Sequence, residues 1–240
     1  MKLRTPTEPV PEYVLRDLRR TYMRIAANEH WYQQSWMGVP VWQLPDDLVR
    51  LQRIVWDLKP SLIIETGTKF GGLTLFFASL LDMLHGDENA GVVSIDIDIL
   101  PEATQNLSEH RFAHRVLDVI EGDATAPATM DVMRRHRDAT DGPCLVALDD
   151  DHNREHVIQE LDQYGDLLRP GDMLIVFDTV FAHLGDTPIG TPSQKYPDMM
   201  VSNPAAALRD WLETAQGFEA VTDYFGYGVS YFEGGVLRKV

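Results

Sequence analysis

From Lys59 onward, short apolar runs alternate with segments whose apolar residues recur every three or four positions. The runs Leu62–Glu65, Val92–Asp96, Arg115–Glu121, Leu145–Asp149 and Met173–Asp178 predict strands, and helices are predicted near 71–84, 101–110, 127–138 and 153–168. Short continuous apolar runs mark strands covered on both faces, so their alternation with helices predicts a parallel sheet between two helical layers. The best-marked helix has Val157, Leu161, Tyr164 and Leu168 at spacings of four, three and four, with Asn153 placed to cap it.

The two ends of the chain break this alternation. Pro6, Pro9 and Pro11 deny residues 1–12 a regular helix and suggest an extended arm. Val14, Leu18, Tyr22 and Ile25 predict a helix within 13–34. The stretch SWMGVPVWQLPDD follows, then a second helix from Asp46 to Leu58 with Leu48, Leu51, Ile54, Val55 and Leu58 on one face. Residues 1–58 therefore read as an arm and helical cap, and residues 59–240 as the main domain, the two forming one compact unit. Residues 179–202, with several Gly and Pro and no period, read as a long loop of the kind often used functionally. A helix near 204–215 precedes Phe218–Phe225 and Ser230–Val240, which predict an antiparallel hairpin added to the sheet. The expected fold is α/β and Rossmann-like: a seven-stranded, mostly parallel sheet with an antiparallel C-terminal hairpin.

Composition narrows the setting. With 240 residues, 44% of them apolar, the chain can bury a full core. No run of about 18 apolar residues is present, and the N-terminus lacks the features of a secretory signal, so a soluble, cytoplasmic protein with no membrane partner is expected. Cys144, the sole cysteine, lies in an apolar run with no disulfide partner and reads as a small buried hydrophobe. A net charge of −16 without a Lys/Arg cluster would repel a phosphate backbone, which argues against a nucleic-acid partner.

The segment Ile63–Gly72 joins a buried strand to an apolar helix through Gly67, Thr68, Lys69, Gly71 and Gly72. In a doubly wound sheet, ligands bind beyond the carboxyl ends of the strands, where glycine permits close backbone approach. The turn G-T-K-F-G-G lacks the second glycine of a dinucleotide fingerprint. Glu65 just ahead of it would repel a pyrophosphate and suits the cationic aminoacyl end of S-adenosylmethionine. Asp96, with Asp98 as its competitor, is placed to accept from the ribose hydroxyls, and Asp123 from the adenine amino group, with Gly122 beside it. Asp123 also fits an ordinary cap or turn. Lys69 fits either a contact to the cofactor carboxylate or plain solvation.

The fourth and fifth predicted strands end in DDDH and in FDT, so Asp149 and Asp178 come from neighbouring strand ends. Two such carboxylates suit Mg²⁺, which would lower the pKa of an acceptor hydroxyl, and His152 would receive the proton. Helix capping by DDDH and a strand-end turn at Asp178 are the plain alternatives. Trp31, Trp36 and Trp42 fit an acceptor pocket or packing, and His183 lies in the loop beyond Asp178.

Taken in order, E-x-G-x-x-x-G-G at Glu65–Gly72, I-D-x-D at Ile95–Asp98, DD-x-H at Asp149–His152, the late Asp178 and the closing GVLRKV resemble the cephalosporin hydroxylase family. That family is grouped with rhamnosyl O-methyltransferases and has a class I methyltransferase fold. The resemblance runs from about Ser35 to Val240. It implies S-adenosylmethionine binding around Glu65, Gly67 and Asp96, Mg²⁺ at Asp149 and Asp178, and a homo-oligomer. The chain departs from the family in one respect: Phe177-Asp178 stands where Glu-Asp is usual, leaving Thr179 or Asp151 to compensate. The expected activity is O-methylation of a hydroxyl on a small natural product or sugar. An NAD(P)-dependent oxidoreductase and a non-catalytic scaffold subunit are the alternatives.

Overall fold

The computed structural model describes residues 10–28, 31–86, 89–183, 195–225 and 229–240. Helix α1 (Glu12–Asn28) is followed by a two-strand ribbon, β1 (Ser35–Trp36) and β2 (Val39–Pro40), and by helix α2 (Pro45–Leu58). The main sheet and its helices then run β3 (Leu62–Thr66), α3 (Gly72–His85), β4 (Gly91–Asp96), α4 (Pro101–Glu109), β5 (Val116–Glu121), α5 (Pro127–Asp138), β6 (Cys144–Leu148), α6 (Arg154–Leu167) and β7 (Met173–Val176). Helix α7 (Pro204–Leu212), β8 (Phe218–Ala220) and β9 (Val236–Lys239) complete the described elements.

The seven-stranded sheet has the order β5-β4-β3-β6-β7-β9-β8, parallel except where β9 pairs with β7 and β8. The expected α/β architecture, a seven-stranded and mostly parallel sheet, is thus observed, C-terminal hairpin included. Chain order reverses at β3, whose neighbours are β4 on one side and β6 on the other. Every residue of β3 is buried. Its two-residue period sends Ile63 into the core shared with α2 and α3, and Leu62 and Ile64 into the core shared with α5, α6 and α7. Glu65 accordingly faces α3, and Thr66 faces α6. Cys144 is buried in β6, as a small hydrophobe would be.

Several boundaries differ from the sequence pattern for identifiable reasons. The segment 13–34 is not one helix: α1 ends at Asn28, and Trp31–Gln33 form a separate 3₁₀ turn. Met37 (φ 50°) and Gly38 (φ 96°) make the left-handed pair of a two-residue hairpin turn between β1 and β2. Within the expected loop, Thr179–His183 form a 3₁₀ turn; residues 184–194 lie outside the described residues, as does most of the proline-rich arm. The last strand begins at Val236, not Ser230, because Val229–Gly235 turn back over the cap. There the Tyr231 amide donates to Asp47 Oδ2 (2.8 Å), and Arg50 Nη1 donates to the Val229 carbonyl (3.0 Å). Asn153 opens α6 but does not cap it through its side chain, which donates to Asp151 Oδ1 at 2.7 Å.

Candidate active site

A cavity of about 830 Å³ opens at the carboxyl ends of the strands, over the switch between β3 and β6. Gly67, Thr68, Lys69, Gly72, Asp96, Asp123, Asp149, His152 and Asp178 all line it. The glycines here serve chain packing as much as any ligand. A Cβ on Gly67 (φ 90°) would collide with the Asp149 carbonyl, and one on Gly72 with the Pro40 carbonyl. The first glycine therefore lets the β3 and β6 ends close together, and the second seats the cap ribbon against α3.

Three of the expected site residues lie away from the cavity lining. Glu65 is wholly buried, accepting from Ser94 Oγ (2.7 Å) and from the Thr74 hydroxyl, with Oε1 left unpartnered. Burial pushes its pKa up to about 8 against the opposing pull of Thr74 and Ser94. Gly71 packs on Leu107. Thr179 donates to the carbonyls of Tyr231 (3.2 Å) and Glu233 (2.9 Å), so its side chain turns away from the strand end that carries Asp178, and the expected metal-ligand role is corrected. The Thr68 hydroxyl lines the cavity but pairs with Ser94 Oγ at 2.7 Å.

At one end of the cavity, Asp96 Oδ2 accepts the Lys69 amide (2.9 Å) and Oδ1 the Asp98 amide (3.3 Å), which fixes the carboxylate at the lip of β4. The Lys69 ammonium lies 5.3 Å from the Trp42 ring centre, a cation–π distance. Asp123 Oδ1 accepts both the amide (2.8 Å) and the hydroxyl (2.7 Å) of Thr125, forming the turn that enters α5, and these bonds lower its pKa. Its turn role and its place on the cavity wall coexist.

At the other end, His152 Nε2 stands 3.1 Å from Asp178 Oδ2, with Phe181 and Tyr196 rings at 5.2 and 5.1 Å. Asp178 is held at φ 57°, a conformation that Asp tolerates better than most residues. Asp149 Oδ2 accepts from Gln43 Nε2 at 2.9 Å. Burial, then the charges of Asp178, Glu65 and Asp150, raise the Asp149 pKa well above the ordinary carboxylate value. Burial likewise raises Asp178, with His152 opposing. Phe177 is buried against Phe232 at 5.1 Å between ring centres, so no third acid enters from the β7 end. Trp36 packs on Phe76 and donates to Ser79 Oγ (3.1 Å), a packing role, whereas Trp42 lines the cavity; exposed His183 does not. Gln43, Lys195, Tyr196 and Tyr231 line the cavity without having been marked by any motif.

A family model described as rhamnosyl O-methyltransferase/CmcI matches residues 28–238. The chain belongs to this family. Among its relatives, a rhamnosyl O-methyltransferase of Mycobacterium leprae is 35% identical over 154 residues, 62% of this chain and 62% of that protein. The Mycobacterium bovis BCG enzyme of the same name is 30% identical over 151 residues, covering 62% of this chain and 58% of the relative. The chain thus matches about three-fifths of the length of these family members. Among solved structures, CmcI with Mg and SAM aligns at TM-score 0.59 and 18% identity over 87% of this chain and 77% of CmcI. A putative caffeoyl-CoA O-methyltransferase from Staphylococcus aureus aligns at TM-score 0.62 and 18% identity, over 93% and 100% respectively. At such identities these likenesses speak for the family's fold. No helix among the described residues is long and apolar enough to cross a membrane.

Proposed function

We propose that this chain is an S-adenosylmethionine-dependent O-methyltransferase acting on a hydroxyl of a sugar or small natural product. The observation that carries the reading is the acid-lined cavity over the β3/β6 switch, with one buried acceptor atom of its lining, Gln43 Oε1, unpartnered beside Asp149. Buried acceptors without donors are costly, and an ammonium offers three donors. The α-amino end of S-adenosylmethionine supplies that group, whereas a pyrophosphate would meet Asp149, Asp150 and Asp151. Asp96 is the ribose acceptor in this reading, and Asp123 stands beside the adenine. Family membership and the rhamnosyl O-methyltransferase names of the relatives support a sugar hydroxyl as acceptor.

The donor set also fits a hard cation. Asp149 and Asp178, enclosed except toward the cavity and mutually repulsive, would hold Mg²⁺ with waters completing its shell. Such an ion supplies charge stabilisation to a developing alkoxide. In the transfer, the acceptor oxygen bonds to the methyl carbon as the carbon–sulfur bond breaks, leaving S-adenosylhomocysteine. With His152 Nε2 donating to Asp178, Nδ1 is the nitrogen left to take the acceptor's proton. Phe181 and Tyr196, whose rings lie 5.2 and 5.1 Å from that of His152, line the reacting end and offer a sugar aromatic surface there.

Calorimetric titration of the purified chain with S-adenosylmethionine tests the cofactor, and methyl transfer to a panel of rhamnosyl and other sugar acceptors with and without Mg²⁺ tests the reaction. Saturable binding followed by S-adenosylhomocysteine formation is expected. Absence of binding at high micromolar ligand overturns the reading, and binding without turnover on every acceptor would favour a scaffold role instead.

A further inference from the structure

Beneath the loop that carries Asp149 and His152 lies a second set of ligating side chains with no part in the reaction above: Asp150, His156 and Glu160. One ligand atom from each lies within 4.8 Å of the others. Helical geometry builds the group, since His156 and Glu160 are four residues apart on α6 and share a face. His156 Nε2 is 3.2 Å from Asp150 Oδ2 and 3.9 Å from Glu160 Oε2. Glu160 is 1% exposed, and Thr66 Oγ1 fixes its orientation by donating to Oε1 at 2.9 Å. Its other oxygen, Oε2, receives no hydrogen bond from a protein donor and faces the imidazole, with the Asp150 carboxyl close enough to share a proton with Glu160. A deeply buried carboxylate oxygen left without a donor is costly unless a cation meets it.

We propose that Asp150, His156 and Glu160 form a divalent-cation site of the Zn²⁺ or Mn²⁺ class, separate from the Asp149/Asp178 pair, that pins the β6–α6 loop onto α6. Metal–ligand bonds of about 2.0–2.2 Å in a tetrahedral site put ligand atoms about 3.4 Å apart. The observed separations of 3.2 and 3.9 Å bracket that value. One imidazole with two carboxylates suits Zn²⁺ or Mn²⁺ better than the all-oxygen preference of Mg²⁺ or Ca²⁺. Thr66 is then the outer partner that orients a ligating carboxylate. Asp150 and His156 also line the cavity, so a fourth position is open to water from that side. Without the cation, a proton must take its place. Burial and Asp150 raise the Glu160 pKa well above its ordinary value, and the hydrogen bond to Asp150 raises that of His156. Cation binding should therefore release protons.

The proposal stands whether or not the chain transfers methyl groups, and its test keeps the two apart. The full chain, stripped with chelator, is titrated with ZnCl₂ and separately with MnCl₂ by calorimetry in buffers of different ionisation enthalpy. A saturable site that persists in Asp178→Asn, and is therefore distinct from any binding at the Asp149/Asp178 pair, is expected, with a heat that varies with the buffer as protons leave, and with a raised melting temperature. Glu160→Gln and His156→Asn should each weaken binding by about 100-fold or more, while Asp178→Asn leaves it unchanged. His156 is partly exposed, so its variant tests the site even if Glu160→Gln fails to fold. Lack of saturable binding below millimolar metal overturns the proposal, as does loss of binding in Asp178→Asn with retention in Glu160→Gln. S-adenosylmethionine binding, measured on the same samples, reports on the cofactor reading independently.

Discussion

Glu65 shares a face of β3 with Ile63, so its carboxylate meets Thr74 of α3 and not the cavity, and burial pushes its pKa from 4.5 up to about 8. An acid whose folded pKa lies above its unfolded value holds its proton more tightly when folded. The stability this lends is complete below about pH 4.5, declines above it as the unfolded chain ionises, and is gone once pH passes about 8. Urea unfolding at intervals from pH 5 to 8 should show wild type losing roughly 3–5 kcal/mol more than Glu65→Gln over that window. Equal slopes would mean that Glu65 is not held as a buried neutral acid. On the proposed reaction, in which the imidazole serves the proton and not the cofactor, His152→Ala should lower kcat by about 10²–10⁴-fold with little change in S-adenosylmethionine affinity. Single-turnover methyl transfer beside calorimetric cofactor binding separates the two, and equal loss in both would remove His152 from proton transfer.

The elements themselves were legible wherever one local signal fixed them. Proline opens α2, α4, α5 and α7 at Pro45, Pro101, Pro127 and Pro204, where its missing amide hydrogen costs nothing, and the apolar runs of β3, β4, β6 and β7 sit where the pattern put them. Asp96, Asp149 and Asp178 follow the strand ends for the same reason, and that is why the carboxylate wall of the cavity was readable. What the pattern missed depends on contacts between distant segments. Gln43 reaches Asp149 only because α2 docks over the sheet, and Tyr231 reaches the cavity because Asp47 and Arg50 hold the C-terminal turn away from strand geometry. The β1–β2 ribbon escaped notice because Met37 occupies a left-handed turn position that normally advertises itself with Asn or Gly. Met37 is exposed, so Met37→Asn should relieve that conformation and raise stability by about 0.5–1 kcal/mol in chemical denaturation. No gain would show that the turn does not strain the methionine.

Across the whole molecule, a formal charge of −16 surrounds a cavity that is itself walled by acids. Two consequences follow from different physics. Self-repulsion of a net anionic surface is screened by any salt, so the melting temperature should rise by a few degrees between about 10 and 150 mM NaCl, the range in which the screening length falls from roughly 30 to 8 Å. Occupation of a defined site depends on the ion's identity. At matched ionic strength, MgCl₂ should therefore stabilise the protein beyond NaCl if Asp149 and Asp178 bind it, since an ion bound only to the folded state adds stability by mass action. Asp178→Asn should remove that excess and leave the NaCl response intact. Thermal scans of both proteins in both salts measure the two contributions at once. An Mg²⁺ excess equal in wild type and variant would assign the effect to acidic groups other than this pair, and Asp149 and Asp178 would then rely on their protein partners, Gln43 and His152.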